Sequence, residues 1–204
     1  MHMLVVNNFV EHEKMAFWIE ALNHAIHDEL GCSMEMVPYT DFLPDFVERN
    51  QDKYDAAILS GSEALFTRDS VKFRNAIEAV RVLSLPVLGI CAGLQLIALA
   101  CNERVVNMGQ VLEGYYEVEL LVEDPLFDGL PQNIFVRESH EEMIERVPRG
   151  FSLLAKSRET PVEAMKGALA DGIAYGVQFH PELHDEDHPA GRSILENFVR
   201  IARQ

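Results

Sequence analysis

Basic residues are scarce in this chain: 17 lysines and arginines face 33 aspartates and glutamates, a formal charge of −16. That sign argues against a binder of nucleic acid or of an anionic membrane surface. Cysteine is also scarce, with three residues and no paired spacing, which points to a reducing compartment rather than a disulfide framework. No basic-then-apolar leader is found. Met1-His2-Met3-Leu4-Val5-Val6 runs straight into a strand, so a cytoplasmic location is expected. Repeats, low-complexity tracts and Pro/Ser-rich linkers are missing. So are a Gly-x-x-x-x-Gly-Lys-Ser/Thr phosphate loop and a dinucleotide fingerprint, and no nucleotide or other cofactor is expected. One uncharged run, residues 82–102, is long enough to cross a bilayer. Ser84, Pro86, Gly89, Gly93 and Gln95 interrupt it, and it divides into a short strand and a separate helix, as in a buried α/β core.

What is present is a chain of 204 residues, 48% hydrophobic, enough for a sizeable core in one domain, residues 1–204. In the first half, strands at 3–7, 34–37, 56–59 and 87–90 alternate with helical stretches at 14–30, 43–49 and 71–83. The first helix is expected to bury Phe17, Ala21, Leu22, Ala25 and Ile26. Short strands at 116–122, 134–137, 151–155 and 162–165 follow, joined by turns at Asp128-Gly129-Leu130-Pro131 and Pro148-Arg149-Gly150. A strand at 173–179 and a helix at 192–203 close the chain. The pattern predicts an α/β fold: a doubly wound, mostly parallel sheet with helices on both faces and an added antiparallel ribbon.

The segment Pro86-Val87-Leu88-Gly89-Ile90-Cys91-Ala92-Gly93-Leu94-Gln95 is the most specific. An apolar strand ends at a cysteine flanked two residues either side by glycine, and a helix starts at once. Glycine at both places removes Cβ atoms that would clash as the helix folds back on the strand. Unpaired N–H groups at the helix start stabilise negative charge on the sulfur. Cys91 is therefore a candidate nucleophile. Cys32, beside a loop glycine, and Cys101, in helical phase with Leu94, Ile97 and Ala98, are expected to serve as small apolar residues.

A cysteine nucleophile needs a base, and the base needs an orienting group. Among eight histidines, His180 in Gly176-Val177-Gln178-Phe179-His180-Pro181-Glu182 leaves the carboxyl end of a strand, where sites in parallel sheets lie and where Cys91 also falls. Pro181 keeps His180 out of helical geometry, and Glu182 can fold back onto the imidazole. Alone, the tripeptide is an ordinary surface turn. Paired with the elbow, it completes a Cys-His-Glu arrangement.

Gly89-x-Cys91-x-Gly93-x-Gln95 and Gly176-x-Gln178-x-His180-Pro181-Glu182 resemble the two signatures of class I, triad-type glutamine amidotransferases, and the resemblance runs from about Ala56 to the C-terminus. It implies a nucleophile at Cys91, a base and acid at His180 and an orienting carboxylate at Glu182. These would hydrolyse the side-chain amide of glutamine and pass ammonia to a synthetase. It further implies an oxyanion hole from the backbone N–H groups of Ser62 and Ala92, with Gly61, Gln95, Ser139 and His140 contacting the substrate. Read without it, Gly61 is a strand-end turn, Gln95 a polar helix residue and His140 a surface histidine.

Within the family, Arg137-Glu138-Ser139-His140, Leu154-Ala155-Lys156-Ser157, Pro161-Val162-Glu163-Ala164-Met165 and Ile194-Leu195-x-Asn197-Phe198 resemble the amidotransferase subunits of two-subunit GMP synthetases. That likeness implies an ATP-dependent synthetase partner. Asn7-Asn8-Phe9-Val10, Ser62-Glu63, Ala92 and Leu94 depart from that subgroup. Two rival classes are a free-standing hydrolase of glutamine or γ-glutamyl compounds, and a non-catalytic module, against which the complete triad argues. The loop His184-Asp185-Glu186-Asp187-His188 carries metal-ligand side chains, but five consecutive residues do not converge easily on one ion. No metal is assigned, and the loop is expected to rim His180.

Overall fold

A computed structural model describes residues 1–11 and 15–204. One nine-stranded sheet runs through it in the order β2-β1-β3-β4-β9-β8-β7-β5-β6. The strands are β1 (His2–Asn7), β2 (Ser33–Pro38), β3 (Ala56–Leu59), β4 (Val87–Ile90), β5 (Val105–Leu120), β6 (Asn133–Ile144), β7 (Ser152–Lys156), β8 (Ala164–Leu169) and β9 (Gly172–Val177). The first five in spatial order are parallel and the rest join antiparallel. The ribbon foreseen from the sequence thus continues the sheet rather than forming a separate layer.

Period-2 alternation assigns the strand side chains to two cores. Met3 and Val5 of β1 pack on one face with Leu22, Ala25 and Ile26. Leu4 and Val6 pack on the other with Val47, Ala76, Ala79 and Val80. Helices cover both faces: α1 (Ala16–Asn23) and α6 (Ala190–Ile201) one, and α2 (Pro44–Asn50), α4 (Arg74–Arg81) and α5 (Ala92–Ala100) the other. A four-residue helix, α3 (Phe66–Asp69), lies between β3 and α4.

Several boundaries differ from expectation. The predicted first helix begins at Lys14, outside the described residues. Its Ala16–Asn23 part is α-helical, and His24–Glu29 widens to a π-helix. Phe17 is 63% exposed; the inward face instead carries Trp18, Leu22 and Ala25, spaced four and three residues apart. Val71, placed in a helix from the sequence, lies in a 3₁₀ turn before α4 and is exposed. The strand expected at 116–122 overlaps only the end of the much longer β5, which stops at Leu120, and that at 134–137 lies within the longer β6. Their outer halves have one solvated side, and Gly109 and Gly114 at positive φ look like turn signals. The β5–β6 register shifts between Asn107 and Leu112, and the extra residues project Val111 toward the site below.

Candidate active site

β4 ends at Ile90 and α5 begins at Ala92, so Cys91 alone connects them. Its φ of 50° and ψ of −106° cost a non-glycine residue on the order of 1–3 kcal/mol. The Cys91 N–H donates to the Val177 carbonyl at 2.8 Å, pinning the elbow to β9. Packing around it leaves no room for side chains at the flanking glycines. A Cβ on Gly93 would stand 2.1 Å from the Leu59 carbonyl oxygen, and one on Gly89 2.5 Å from the Gly93 carbonyl carbon.

Beyond Val177 the chain passes between two neighbours. Gln178 N–H donates to the Glu163 carbonyl and His180 N–H to the Arg137 carbonyl, each at 2.8 Å. His180 takes φ −104°, ψ 89°, the non-helical geometry that Pro181 enforces. Its Nδ1 lies 2.8 Å from Glu182 Oε1, with both side chains buried. Nε2 makes no hydrogen bond within the described residues and is left to the adjacent sulfur. Burial disfavours the imidazolium, but the Glu182 carboxylate and Cys91 outweigh it and hold the His180 pKa well above its ordinary value. Gly61 packs against this ring, where a Cβ would sit 2.9 Å from His180 Cε1.

The structure gathers most of the other expected residues around the sulfur. Ser62, Ala92, Gln95, Ser139 and His140 line one cavity of about 240 Å³ with Cys91. A second space of about 230 Å³ exposes His180 beside Phe9, Met15, Trp18 and Ser139. Gln95 spends its amide nitrogen on the Glu142 carbonyl at 2.9 Å and on Gln178 Oε1 at 3.3 Å. Gln178 Nε2 in turn donates to Cys91 Sγ at 3.6 Å. His140 is buried, not on the surface; its Nδ1 lies 2.9 Å from the Glu142 carbonyl and its Nε2 3.1 Å from Glu138 Oε2.

Two of the unusual segments prove to be partners. The Ser62 hydroxyl donates to the Asn8 carbonyl at 2.8 Å, Asn8 Nδ2 donates to the Ser60 carbonyl at 2.7 Å, and Val10 N–H donates to Glu63 Oε1 at 3.1 Å. The 60–63 loop is thus tied to the segment after β1. Residues 183–188 also turn to separate neighbours. His184 lies 2.9 Å from both the Pro181 carbonyl and Glu29, while Tyr115 donates to Asp185 and stacks on His188.

Sequence reasoning missed three features. Trp18 packs at a tilt against His180, 4.6 Å between ring centroids. Gln178 reaches the sulfur. The buried carboxyls of Glu138, near His180, and of Glu163, near His140, face each other. Burial pushes Glu138 up to about 8, and burial together with Glu138 raises Glu163 well above the carboxylate range. The helical spacing of Trp18 with Leu22 was a readable signal; the buried glutamates, Glu138 on β6 and Glu163 just before β8, gave none.

The fold and the cysteine elbow define a class of enzyme, and comparison with known proteins agrees with it. Residues 18–202 match the family model for class-I glutamine amidotransferases, and the chain belongs to that family. It is 35% identical to a glutamine-hydrolyzing GMP synthase subunit from Methanothermobacter thermautotrophicus, over 89% of this chain and 92% of that one. It is 36% identical to the corresponding GMP synthase subunit from Methanocaldococcus jannaschii, over 87% and 90%. A crystal structure from Thermoplasma acidophilum, described as that of a GMP synthase subunit, superposes with a TM-score of 0.82 at 28% identity, covering 100% of this chain and 94% of that one. No helix among the described residues is long and apolar enough to cross a membrane.

Proposed function

We infer that residues 1–204 form one cytoplasmic glutamine amidotransferase domain in which Cys91, His180 and Glu182 carry the chemistry. The single observation that supports this most is the strained cysteine elbow facing a buried histidine whose other nitrogen is held by a carboxylate. His180 takes the thiol proton of Cys91 as the sulfur attacks the side-chain amide carbon of glutamine. The carbon–sulfur bond forms, and the tetrahedral oxyanion falls toward the backbone N–H groups of Ser62 and Ala92. As the intermediate collapses, the carbon–nitrogen bond breaks and His180 gives its proton to the leaving nitrogen, which departs as ammonia. Water then attacks the thioester, His180 takes its proton, and glutamate leaves with the thiol and imidazole restored. In this reading Gln95, Ser139 and His140, which line the cavity with Cys91, contact the substrate. No metal or cofactor takes part in this scheme.

The acceptor is the finer part of the reading. The likeness to GMP synthase subunits supports an ATP-dependent synthetase partner, with XMP as the acceptor of ammonia. Ammonia release from glutamine is to be measured with the isolated chain, and again with the ATP-pyrophosphatase subunit of GMP synthetase, ATP and XMP. Slow hydrolysis alone and strong stimulation by the complete mixture is the expected result. Fast hydrolysis unchanged by any synthetase would favour a free-standing glutamine or γ-glutamyl hydrolase. Stimulation by another synthetase alone would keep the mechanism and discard the acceptor.

A further inference from the structure

Glu142 carries no role in the reaction above, yet the walls of the substrate cavity converge on it. It is a buried residue near the end of β6. Its Oε2 accepts the Phe66 N–H at 2.6 Å, and its Oε1 accepts the Thr67 N–H at 3.1 Å and the Thr67 hydroxyl. The carboxylate thereby caps α3 across 75 residues of chain, where Leu65 supplies no side-chain cap of its own. A carboxylate at helix N–H groups is favoured by both hydrogen bonding and the backbone dipoles.

The main chain of the same residue serves the other walls. Its carbonyl accepts from Gln95 Nε2 at 2.9 Å and lies 2.9 Å from His140 Nδ1. Gln95 sits one turn beyond Cys91 on α5, and His140 follows Ser139 on β6. The loop containing Ser62, Glu63, Ala64 and Leu65 ends at α3. All three groups line the cavity with Cys91. Glu142 also pairs with Asn107 where the β5–β6 register shifts, the irregularity that brings Val111 to the cavity.

We propose that Glu142 is a positioning residue for the amino-acid end of the substrate: its carboxylate ties the 62–65 wall to the 139–142 wall and so sets the opening that receives glutamine. This rests on the amidotransferase reading. Without the carboxylate, α3 loses its cap, and the buried Phe66 N–H and the part-buried Thr67 N–H lose their acceptor. The loop can then drift from β6 while the elbow, held by Val177, stays in place. Recognition of glutamine should suffer and the intrinsic reactivity of Cys91 should not.

Alkylation of Cys91 by two reagents separates these effects. A diazo-ketone analogue of glutamine needs the whole cavity; iodoacetamide needs only the thiol. In Glu142→Ala, second-order alkylation by the glutamine analogue should fall at least tenfold with a matching rise in half-saturation concentration. Iodoacetamide alkylation should stay within about twofold, the ordinary scatter of a change that leaves the reacting group alone. Glu142→Gln keeps one acceptor oxygen and should fall between the parent and the alanine variant. Equal losses with both reagents, or no loss with either, would overturn the proposal. Should Glu142→Ala not fold, Thr67→Val removes one donor to the carboxylate, and the same selective loss, smaller in size, is expected; an unchanged analogue rate would count against the role. Failure of the parent chain to hydrolyse glutamine while these selectivities hold would count against the proposed reaction and not against this positioning.

Discussion

The ring of Trp18 lies 4.6 Å from that of His180, centroid to centroid, inclined at 52°. It covers the imidazole from the α1 side and lines the same space. An aromatic contact of this kind contributes about 0.5–1.5 kcal/mol beyond area burial, so its loss can cost about tenfold if it is made fully in the transition state. Trp18→Ala should lower kcat/KM for glutamine by about that factor with a small fall in Tm, and Trp18→Phe should keep most of the activity. Steady-state kinetics beside thermal melts check it.

Gly61 is an ordinary-looking loop glycine with a specific neighbour. A Cβ there would stand 2.9 Å from His180 Cε1 and 3.8 Å from Cys91 Cβ. Gly61→Ala therefore displaces the imidazole from the sulfur, and a misplacement near 1 Å can cost about a hundredfold. The expected variant is folded by circular dichroism and nearly inactive on glutamine.

His180 and Glu182 should not be equivalent. His180→Ala removes the base and the acid for departing ammonia, whereas Glu182→Gln leaves an imidazole in place. The carboxylate is also a chief reason why the His180 pKa stands well above its usual value. Following the ring protons by NMR, the parent should titrate above the ordinary histidine range and Glu182→Gln should titrate at lower pH. Residual turnover is expected in Glu182→Gln and essentially none in His180→Ala.

The buried Glu138 carboxyl, pushed up to about 8 chiefly by burial, links stability to pH. Facing it are Glu163, His140 and His180, with Glu159 further out. Between its unfolded value, near 4.5, and about 8, the folded state holds a proton that the unfolded chain releases. Stability therefore falls as pH rises through that window. Denaturant titrations from pH 5 to pH 8 should show the decline, and Glu138→Gln, which mimics the protonated carboxyl, should flatten it.

The parallel half of the fold was legible because its strands are short, apolar and bounded by turn residues. β3 and β4 fall where the residue pattern places them. The cysteine elbow was legible for a steric reason, since only glycine fits beside Leu59 and Gly93. The outer halves of β5 and β6 were not, because Gly109 and Gly114 break the pattern and solvent wets one side. Phe17 was assigned to the core one position away from Trp18, a phase error on a helix whose first turn is largely exposed. Ser62 departs from the subgroup pattern, yet its hydroxyl is tied to Asn8, in another departing segment. Such compensation between residues 54 apart leaves no local trace in a sequence.

The most direct test of the triad assignment is covalent labelling of the unmodified chain with a diazo-ketone analogue of glutamine, followed by peptide mapping and an assay of ammonia release. Cys91 alone sits on a strained elbow beside a histidine. Cys32 is fully buried, and burial raises the thiol pKa of Cys101. The predicted result is one adduct, on Cys91, with glutaminase activity lost in proportion to labelling and no reaction in Cys91→Ala. Labelling at Cys32 or Cys101 with Cys91 untouched, or full activity in Cys91→Ala, would contradict it.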